Sequence, residues 1–473
     1  MRVLIVHFRS APNKELQKEL ANVDPLDSAG TDGVSLEIAK RQTLLEEMGH
    51  EVAICSAYDW ANFPVPALEF DREEVTGIIE NLYGAKISDF TGEDELKSHF
   101  DASQQELQRQ LKSVLDDFKP DLLFVHNVLS LPVHPAATVS LTELLRETKL
   151  PCAAIHHDIL SEGAYKFTPT CDFARAILEE YYPPIMSNIG HWTINTRNKK
   201  ALAEKGVDAA VIHDSMDFEQ SLSLDNREKI RAAIRSKYGI KSNDIVLLAG
   251  ARIVPNKQTE LAGRLTSALQ SMRREITGKS LYNGETFSNN GRILLLLAGR
   301  PERAFLDYKR NLFELFGRLE IDWRYAGDDV RTYHNTDEGL YTLYPDFYTA
   351  ADFVLYPTGW EGFGNQLLEA FAAELPVAVF EYPVFKEDIA PKGVKVVSLG
   401  DKLVAEKDDS GLVQLPIEVL ERTAREILTI LTSPEKFRGI TQQNLAVGKK
   451  YFGFDKLRAH LRESLQWAAA INN

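Results

Sequence analysis

Short apolar runs alternate with longer amphipathic stretches from one end of the chain to the other. Apolar runs of this length predict buried strands, and the amphipathic stretches predict helices. In the first half we predict strands at 3–7, 51–56, 121–126, 152–156, 191–194 and 209–213, and helices at 33–47, 102–117, 138–148, 172–181 and 197–205. Strand and helix in repetition indicate a parallel sheet with helices on both faces.

The same alternation starts again in the second half, after a lapse in apolar periodicity at 217–225. Here we predict strands at 244–249, 293–298, 322–325, 353–356, 377–379 and 394–397, and helices at 226–238, 260–274, 341–350, 365–373 and 416–431. The fold class is therefore α/β, with two Rossmann-like, doubly wound domains and an interdomain cleft. We assign 1–218 to the N-terminal domain and 219–449 to the C-terminal domain. A last helix at 455–470, within 450–473, is expected to pack back on the first domain.

Two segments interrupt the alternation. The stretch 10–31 is a long connection between the first strand and the first helix, and it contains Pro12, Pro25 and Gly30. Long connections in compact domains are often lids or binding loops. The stretch 71–100 is acidic, and we expect a helical insertion there.

The composition is that of a soluble globular protein. The chain has 473 residues, too many for one hydrophobic core, with 44% hydrophobic and 26% charged residues. A formal net charge of −15 argues against nucleic acid as a partner, because binding it needs a basic surface. The apolar runs, such as 293–298, are too short to span a bilayer, so no integral membrane segment is expected.

The three cysteines, Cys55, Cys152 and Cys171, have neither a metal-ligand spacing nor a disulfide framework. Cys55 and Cys152 lie in predicted strands, so we expect buried thiols. The N-terminal residues form a strand pattern without the cleavage site of a signal peptide. Together these features favour a cytoplasmic protein.

The most informative segment follows the predicted strand 353–356. It reads Glu-Gly-Phe-Gly-Asn-Gln-Leu-Leu-Glu from Glu361 to Glu369, so a glycine turn leads directly into a helix between two carboxylates. Glycine lets the backbone approach a ligand closely, and a helix start offers N–H groups to a phosphate. The segment predicts a site for a phosphate-bearing, hydroxyl-rich ligand. An ordinary strand–turn–helix is the alternative.

This segment, from 347 to 377, resembles the donor-site signature of retaining glycosyltransferases with the GT-B fold, and family 4 is the most similar. Three further segments resemble the family in the same order: 30–34 with 46–52, 250–257 and 298–300. The resemblance covers nearly the whole chain. Each segment alone is weak evidence for the family, whereas the segments together are specific to it.

The resemblance implies transfer of a hexose from a nucleoside-diphosphate sugar by a GT-B enzyme, with Arg252 and Lys257 stabilising the leaving diphosphate. It implies that Glu361 holds the transferred sugar and that Glu369 accepts from the ribose hydroxyls. The other residues expected on the donor side are Gly364, Asn365, Gln366, Leu367 and Arg300. A surface ion pair is the alternative for Arg252, and a solvated lysine for Lys257.

No metal is expected, because two cationic side chains and a helix end already supply positive potential to the diphosphate. An Asp-x-Asp pattern beside a strand end, typical of a metal site, does not occur. The cofactor expectation is therefore none, with the nucleotide sugar as co-substrate.

The N-terminal domain is expected to bind the acceptor. Gly30, Asp32 and Gly33 precede or begin the first helix, where backbone N–H groups can meet a phosphate or the acceptor. A plain helix start with Asp32 near the N-cap is the equal alternative.

Histidines end two predicted strands of this domain. By resemblance His126 contacts the transferred sugar and helps to shape the reactive centre. His157 and Asp158 are candidates for the acceptor side, although the pattern does not tell which of His156 and His157 faces the cleft, because neighbours on a strand point to opposite faces. A hydrogen-bonded structural histidine is the alternative for each, and it is favoured for His134.

Three departures from the family bear on specificity. Glu374 stands where the family usually has glycine, the segment 380–386 replaces a glycine-rich turn, and 213–217 replaces Pro-Asn-Gly. They leave the residues expected at the diphosphate unchanged and bear on the identity of the acceptor and the sugar.

We therefore expect a cytoplasmic, metal-independent, retaining hexosyltransferase that uses a nucleotide sugar and a small hydroxyl acceptor. A sugar-nucleotide epimerase or hydrolase on the same fold is one alternative, and a non-catalytic sugar-nucleotide-binding protein is another. The nucleotide base, the hexose and the acceptor are not specified, and a homo-oligomer is left open.

Overall fold

The computed structural model describes residues 1–10, 33–161, 166–219, 224–331, 339–404 and 407–472. These residues form two compact units. Of the described residues, the first unit contains 1–10, those from 33 to 213 and those from 455 to 472, and the second contains those from 214 to 454. The boundaries between the units, after His213 and after Phe454, each lie five residues from the boundaries that we expected after 218 and before 450.

The first unit is a parallel sheet covered by helices. Its strands in the described residues are β1 (Arg2–Val6), β2 (Glu51–Ser56), β3 (Phe63–Pro64), β4 (Leu122–His126), β5 (Cys152–His156), β6 (Ile189–Thr193) and β7 (Ala209–Val211). Its helices before the second unit are α1 (Gly33–Glu47), α2 (Glu73–Tyr83), α3 (Glu93–Phe118), α4 (Pro135–Thr148), α5 (Asp172–Tyr181) and α6 (Thr196–Glu204), with a short turn at Pro66–Leu68. The sheet order is β3-β2-β1-β4-β5-β6-β7.

The central strands are apolar because both faces of the sheet are covered. All residues of β4 and β5 are buried, as expected of parallel strands between helical layers. The chain runs outward from β1 through β2 to β3 and then returns to β4 on the other side of β1. The strand order therefore places a switch point between the carboxyl ends of β1 and β4, and sheets of this kind bind ligands at such a point.

The second unit repeats this plan. It begins with α7 (Leu224–Lys237), and its other elements in the described residues are β8 (Ile245–Ala249), α8 (Thr259–Ser271), β9 (Ile293–Leu297), α9 (Leu306–Arg318), β10 (Trp323–Tyr325), β11 (Val330–Arg331), β12 (Tyr341–Thr342), α10 (Tyr348–Ala350), β13 (Phe353–Tyr356), α11 (Asn365–Ala372), β14 (Val377–Val379), β15 (Val397–Ser398), α12 (Ile417–Leu431) and α13 (Pro434–Phe452). Short helical turns lie at Pro255–Lys257, Arg273–Glu275, Arg303–Phe305, Gly327–Asp329, Leu343–Phe347, Phe385–Ile389 and Ala390–Lys392. The main sheet has the order β10-β9-β8-β13-β14-β15, so its switch point lies between β8 and β13.

Four sequence predictions need correction. The stretch 341–350 is not one helix, because Pro345 has no backbone N–H and Tyr344 before it is extended (φ −108°, ψ 132°). The last strand is Val397–Ser398 rather than 394–397. Helix α3 begins nine residues earlier than expected, with three acidic residues in its first turn that favour a helix N-terminus. Helices α9 and α13 were not predicted.

The last helix, α14 (Phe454–Asn472), belongs to the first unit from Asp455 onward. Its Arg458 forms an ion pair with Glu47 at the end of α1 (2.5 Å). The last helix thus contacts α1 of the first unit. In the described residues, no helix is long and apolar enough to cross a membrane.

The prediction that two of the cysteines are buried thiols is confirmed. Cys55 and Cys152 are fully buried free thiols. Burial raises the pKa of Cys55 to about 12, so this thiol stays protonated at neutral pH.

Candidate active site

The loops after β8 and β13 pack against each other at the switch point of the second unit. The Gly359 N–H and the Thr358 hydroxyl both donate to the Asn256 carbonyl, at 3.0 and 3.3 Å. A Cβ atom on Gly359 would lie 2.3 Å from Nε2 of Gln258. Only glycine permits this approach, which draws the two loops together at the carboxyl ends of their strands.

Lys257 and Glu361 meet where these loops join. The Lys257 ammonium lies 2.5 Å from Oε1 of Glu361, and the Tyr356 hydroxyl donates to the same oxygen at 2.6 Å. The side chains of Lys257 and Glu361 are only 10% and 17% exposed. Charges in such a poorly solvated place interact more strongly than on the surface. Lys257 is therefore not the solvated lysine of the alternative interpretation.

The glycine turn leads directly into α11. Gly364 is the N-cap residue with φ 130°, and a Cβ atom there would lie 2.3 Å from the Tyr382 hydroxyl. That hydroxyl donates to the Phe363 carbonyl at 2.6 Å, so Tyr382 fixes the turn. Gly364 has no side chain to cap the helix, which leaves first-turn N–H groups for a ligand.

The amide donors differ slightly from the prediction. The Leu367 N–H donates to the Gly364 carbonyl at 3.0 Å and is used within the turn. The first-turn donors that can meet an anion are therefore those of Asn365 and Gln366. The side-chain amide of Asn365 also donates to the buried Asp214 carboxylate at 3.5 Å.

Glu369 lies one turn further into α11, beside two tyrosines. Burial first, and then the Glu369 carboxylate, raise the pKa of Tyr348 well above its ordinary value, and the same two causes raise that of Tyr344 to about 12. The Tyr348 hydroxyl also donates to the Gln366 carbonyl at 3.2 Å. Both tyrosines therefore stay protonated beside the Glu369 carboxylate, and Tyr348 forms a hydrogen bond with it.

The two predicted arginines are placed differently from Lys257. Arg252 forms an ion pair with Glu302 in the loop after β9, and its side chain is 43% exposed. This is the ion pair that the sequence left open as the alternative for Arg252. Arg300 donates to the Gly327 carbonyl at 3.2 Å, and burial, followed by the neighbouring Arg331, lowers its pKa. The structure thus brings Lys257, Glu361 and the α11 turn into direct contact, whereas Arg252 pairs elsewhere.

At the switch point of the first unit the polar side chains are histidines. Nδ1 of His126 lies 3.0 Å from Nε2 of His157. His7, directly after β1, donates through Nδ1 to the His126 carbonyl at 2.8 Å. Nε2 of His126 is buried without a hydrogen-bond partner in the described part of the chain.

The strand register places His156 and His157 on opposite faces of the sheet. His126 lies opposite Ile155, so it shares a sheet face with His157. His156 is on the other face, where its Nε2 lies 3.0 Å from Nδ1 of His191. His157, as predicted among the site candidates, is therefore the one that joins His126.

A buried ion pair from α1 covers the His126 face. Arg41, 2% exposed, donates to the fully buried Glu37 carboxylate at 2.8 Å. Burial first, then His157 and Arg41, hold the pKa of His126 well below its ordinary value. Burial and then Arg41 do the same for the pKa of His157. Both imidazoles are neutral at neutral pH, so they suit hydroxyl groups better than anions.

Asn127 links the two strand ends and was missed by the sequence analysis. Its side-chain oxygen accepts from the N–H groups of His157 (2.8 Å) and Asp158 (3.1 Å), and its amide donates to the Asp158 carboxylate at 3.0 Å. Its backbone is left-handed, with φ 58°. Asparagine tolerates that conformation better than most residues, but the sequence around it carries no turn signal.

The remaining candidates have plainer positions. Gly33 is the first residue of α1, whereas Gly30 and Asp32 lie outside the described residues. His134 is buried and contacts the Ala67 carbonyl at 2.9 Å, which agrees with its structural interpretation.

Comparison with known proteins bears on this arrangement. The family model for glycosyl transferases group 1 matches residues 320–422. The chain is 33% identical over 429 residues to the mannosylglucosylglycerate synthase of Thermotoga maritima, across 90% of this chain and 95% of that protein. The chain is 32% identical over 429 residues to the mannosylglucosylglycerate synthase of Petrotoga mobilis, across 89% of this chain and 95% of that protein.

Among solved structures, the sucrose-phosphate synthase of Thermosynechococcus elongatus has a TM-score of 0.59 at 13% identity, over 99% of both chains. This likeness shows the fold, which is the GT-B arrangement of two Rossmann-like units.

Proposed function

This chain belongs to the group 1 glycosyltransferases, and we propose that it moves a hexosyl group from a nucleoside-diphosphate sugar to a hydroxyl of a small, carboxylate-bearing acceptor, with retention at the anomeric carbon. The observation that carries the proposal is the contact of Lys257 with Glu361 beside the α11 turn. A cation, a carboxylate and helix-end N–H groups are the partners that a sugar diphosphate needs.

The reaction breaks the bond between the anomeric carbon and the diphosphate oxygen. Negative charge grows on the diphosphate, where the Lys257 ammonium and the N–H groups of Asn365 and Gln366 lower its energy. The acceptor hydroxyl forms the new bond on the face that the diphosphate leaves, and its proton passes to the departing diphosphate. This path gives retention without a protein nucleophile.

Glu361 and Glu369 accept hydrogen bonds from different hydroxyl groups of the donor. Glu361, held at the turn, accepts from hydroxyls of the transferred sugar, and Glu369, one helical turn later, accepts from the ribose. In the first unit we propose His126 as the partner of a sugar hydroxyl, since its imidazole is neutral and its buried Nε2 has no hydrogen-bond partner in the described residues. Its neutral state keeps a second positive charge away from the developing oxocarbenium.

We also propose that transfer needs no divalent metal, since Lys257 and the α11 N-terminus neutralise the leaving group. Activity after treatment with EDTA should equal the untreated activity, and restoration of lost activity by added Mg²⁺ or Mn²⁺ would contradict this part of the proposal.

The acceptor class follows from the two relatives that are mannosylglucosylglycerate synthases. We take glucosylglycerate as the first acceptor to test and a mannose nucleotide as the first donor. Both relatives align over nine-tenths of this chain, which supports a common substrate class.

A thermal-shift screen of GDP-, UDP- and ADP-linked mannose and glucose identifies the donor, because a ligand that binds only the folded chain raises the melting temperature. The selected donor is then incubated with glucosylglycerate, glycerate and glucose, and the anomeric configuration of the product is read by NMR. We expect an α-linked product from an α-linked donor. A β-linked product would refute retention, and a changed sugar nucleotide without any acceptor would favour the epimerase or hydrolase alternative.

A further inference from the structure

We propose that Tyr356 is a positioning residue of the donor-sugar site, whose hydroxyl holds one oxygen of Glu361 so that the other oxygen faces the transferred sugar. Tyr356 ends β13, and its side chain is fully buried among the groups below the glycine turn. This inference rests on the proposed function, because it assumes that Glu361 meets the sugar of a nucleotide-sugar donor.

The geometry separates the two oxygens of Glu361. Oε1 accepts from the Tyr356 hydroxyl at 2.6 Å and from the Lys257 ammonium at 2.5 Å. Oε2 accepts from no group in the described part of the chain. Two donors on one oxygen fix the plane of the carboxylate, so Oε2 points in one direction before any substrate binds.

Lys257 alone would not fix this direction. Its ammonium is a point charge with three donors on a flexible stem, and the diphosphate competes for them. Tyr356 has a short rigid side chain anchored in the sheet, and its hydroxyl donates to Glu361 at 2.6 Å. When Lys257 turns toward the leaving group, Tyr356 keeps Glu361 in place.

A second tyrosine has a separate task in the same turn. The Tyr382 hydroxyl donates to the Phe363 carbonyl and contacts the Gly364 position, so it holds backbone rather than a carboxylate. The rings of Tyr356 and Tyr382 meet edge to face, 6.2 Å apart. Tyr382 therefore aims the α11 amides at the diphosphate, whereas Tyr356 aims Glu361 at the sugar.

Both hydroxyls remain donors across the working pH range. Burial first, and then the Glu361 carboxylate, raise the pKa of Tyr356 well above its ordinary value. The same causes raise the pKa of Tyr382. A phenolate, which would repel Glu361, is therefore not formed.

The test compares three hydroxyl deletions that keep the ring: Tyr356→Phe, Tyr382→Phe and the control Tyr282→Phe. Tyr282 is a partly buried tyrosine that donates to the buried Asp352 carboxylate at 2.7 Å, at the other end of β13. Its loss removes a hydroxyl–carboxylate bond of the same kind without touching the turn. Each variant is titrated by calorimetry with GDP-mannose against GDP and with UDP-glucose against UDP, and kcat and KM are measured with the better donor.

For Tyr356→Phe we expect an affinity for the nucleotide sugar and a kcat/KM lower by about ten-fold or more, the usual size for a lost bond to a charged group. Its affinity for the free diphosphate should stay within about two-fold of the wild type, because the diphosphate does not reach Glu361. Tyr382→Phe should weaken both ligands equally, and Tyr282→Phe should lower the melting temperature without changing either affinity.

If Tyr356→Phe lost equal affinity for the nucleotide sugar and for the free diphosphate, its role would be generally structural and the inference would be overturned. The same holds if Tyr282→Phe lost affinity for the nucleotide sugar alone. An unchanged nucleotide-sugar affinity in Tyr356→Phe would overturn it as well. If the wild type binds and turns over none of these donors, the proposed function itself fails and the inference fails with it.

Discussion

At the switch point of the first sheet, between β1 and β4, the polar side chains are imidazoles, whereas at the equivalent place in the second sheet they are an ammonium, a carboxylate and tyrosine hydroxyls. Ten of the eleven histidines of the chain lie outside residues 214–454. The two units therefore share a topology and use different chemistry at the same position in it.

The difference fits the ligand that we propose for each edge. Neutral imidazoles exchange hydrogen bonds with hydroxyl groups and have no net charge that would retain an anion. Lys257 and the α11 amides carry positive potential, which a diphosphate requires. The shared topology supplies a place for a ligand, and the residues at the strand ends decide which ligand it is.

The largest difference we predict between the units is in acid. The unfolded pKa of histidine is near 6.5, whereas burial lowers the folded pKa of His134 and His191 to about 4. The unfolded chain then binds more protons between these values, so stability is complete above about pH 6.5 and falls as the pH approaches about 4. At a pH of about 4 or below, each of these two histidines lowers the free energy of unfolding of the first unit by on the order of 3 kcal/mol.

Hydrogen exchange followed by mass spectrometry at pH 7 and pH 4.5 resolves the two units by peptide. Protection should fall in the first unit before it falls in the second. His134→Gln should reduce the acid sensitivity, and His99→Gln, on the exposed side of α3, should leave it unchanged. Parallel loss of protection in both units would contradict the prediction.

The next largest effect is expected at Lys257. Replacing it by alanine removes the cation nearest to the proposed leaving group and should lower kcat by about 10² to 10³, as for other transition-state donors. Arg252→Ala should have a smaller effect, because Arg252 is half-exposed and paired with Glu302. Steady-state kinetics with the donor chosen by the thermal-shift screen measure both.

Lys386 provides the matched control for Lys257. It also forms an ion pair, with Asp401 at 2.6 Å, but on the exposed surface of the same unit. Lys386→Ala should leave kcat and KM unchanged, since exposed pairs contribute little. A wild-type kcat in Lys257→Ala would show that Lys257 does not stabilise the leaving diphosphate.

A comparison within the first unit separates its two histidine pairs. His126→Asn should lower kcat/KM by roughly 10², because it removes the imidazole that lies at the ligand edge of the sheet. His191→Asn disturbs the other pair, in the middle of β6 on the opposite face, and should lower only the melting temperature. Similar activity losses in both variants would mean that the His126 pair stabilises the sheet and does not meet substrate.

A smaller effect is expected at Glu369. Glu369→Gln keeps the size of the side chain but weakens the bonds that we propose to the ribose hydroxyls, so the KM for the donor should rise about ten-fold while kcat changes little. Glu374→Gln, just beyond the end of α11 and exposed, is the control and should change neither constant. A fall in kcat with constant KM in Glu369→Gln would move this carboxylate from the ribose to the reacting sugar.

The sequence predicted the buried elements well, because their pattern is local. The bounds of β2, β5, β13 and α1 coincide with the observed ones residue for residue. Helix α9 was overlooked although Leu312, Leu315 and Phe316 are buried at helical spacing, so the signal was present. The error at 341–350 came from reading through Pro345.

The side-chain partners could not be predicted, because they depend on contacts between distant segments. Glu361 and Lys257 are 104 positions apart, and Arg252 and Glu302 are 50 apart. The packing of two loops decides whether a predicted site cation contacts the site or pairs with a neighbouring carboxylate. The left-handed backbone of Asn127 is likewise set by the strand ends that it joins.

Glu374 gives the smallest and most local prediction. It follows α11 with φ 55°, in the left-handed region, at the position where the family usually has glycine. This conformation costs a side chain with Cβ about 1–2 kcal/mol, and the extra freedom of glycine in the unfolded chain offsets about 0.4–1 kcal/mol of the gain. Glu374→Gly should therefore stabilise the second unit by about 0.5 kcal/mol. Glu421→Gly, exposed inside α12, should destabilise it by about 1 kcal/mol. Urea titrations of both variants measure the two changes, and a loss of stability in Glu374→Gly would show that the Glu374 side chain contributes more than its backbone costs.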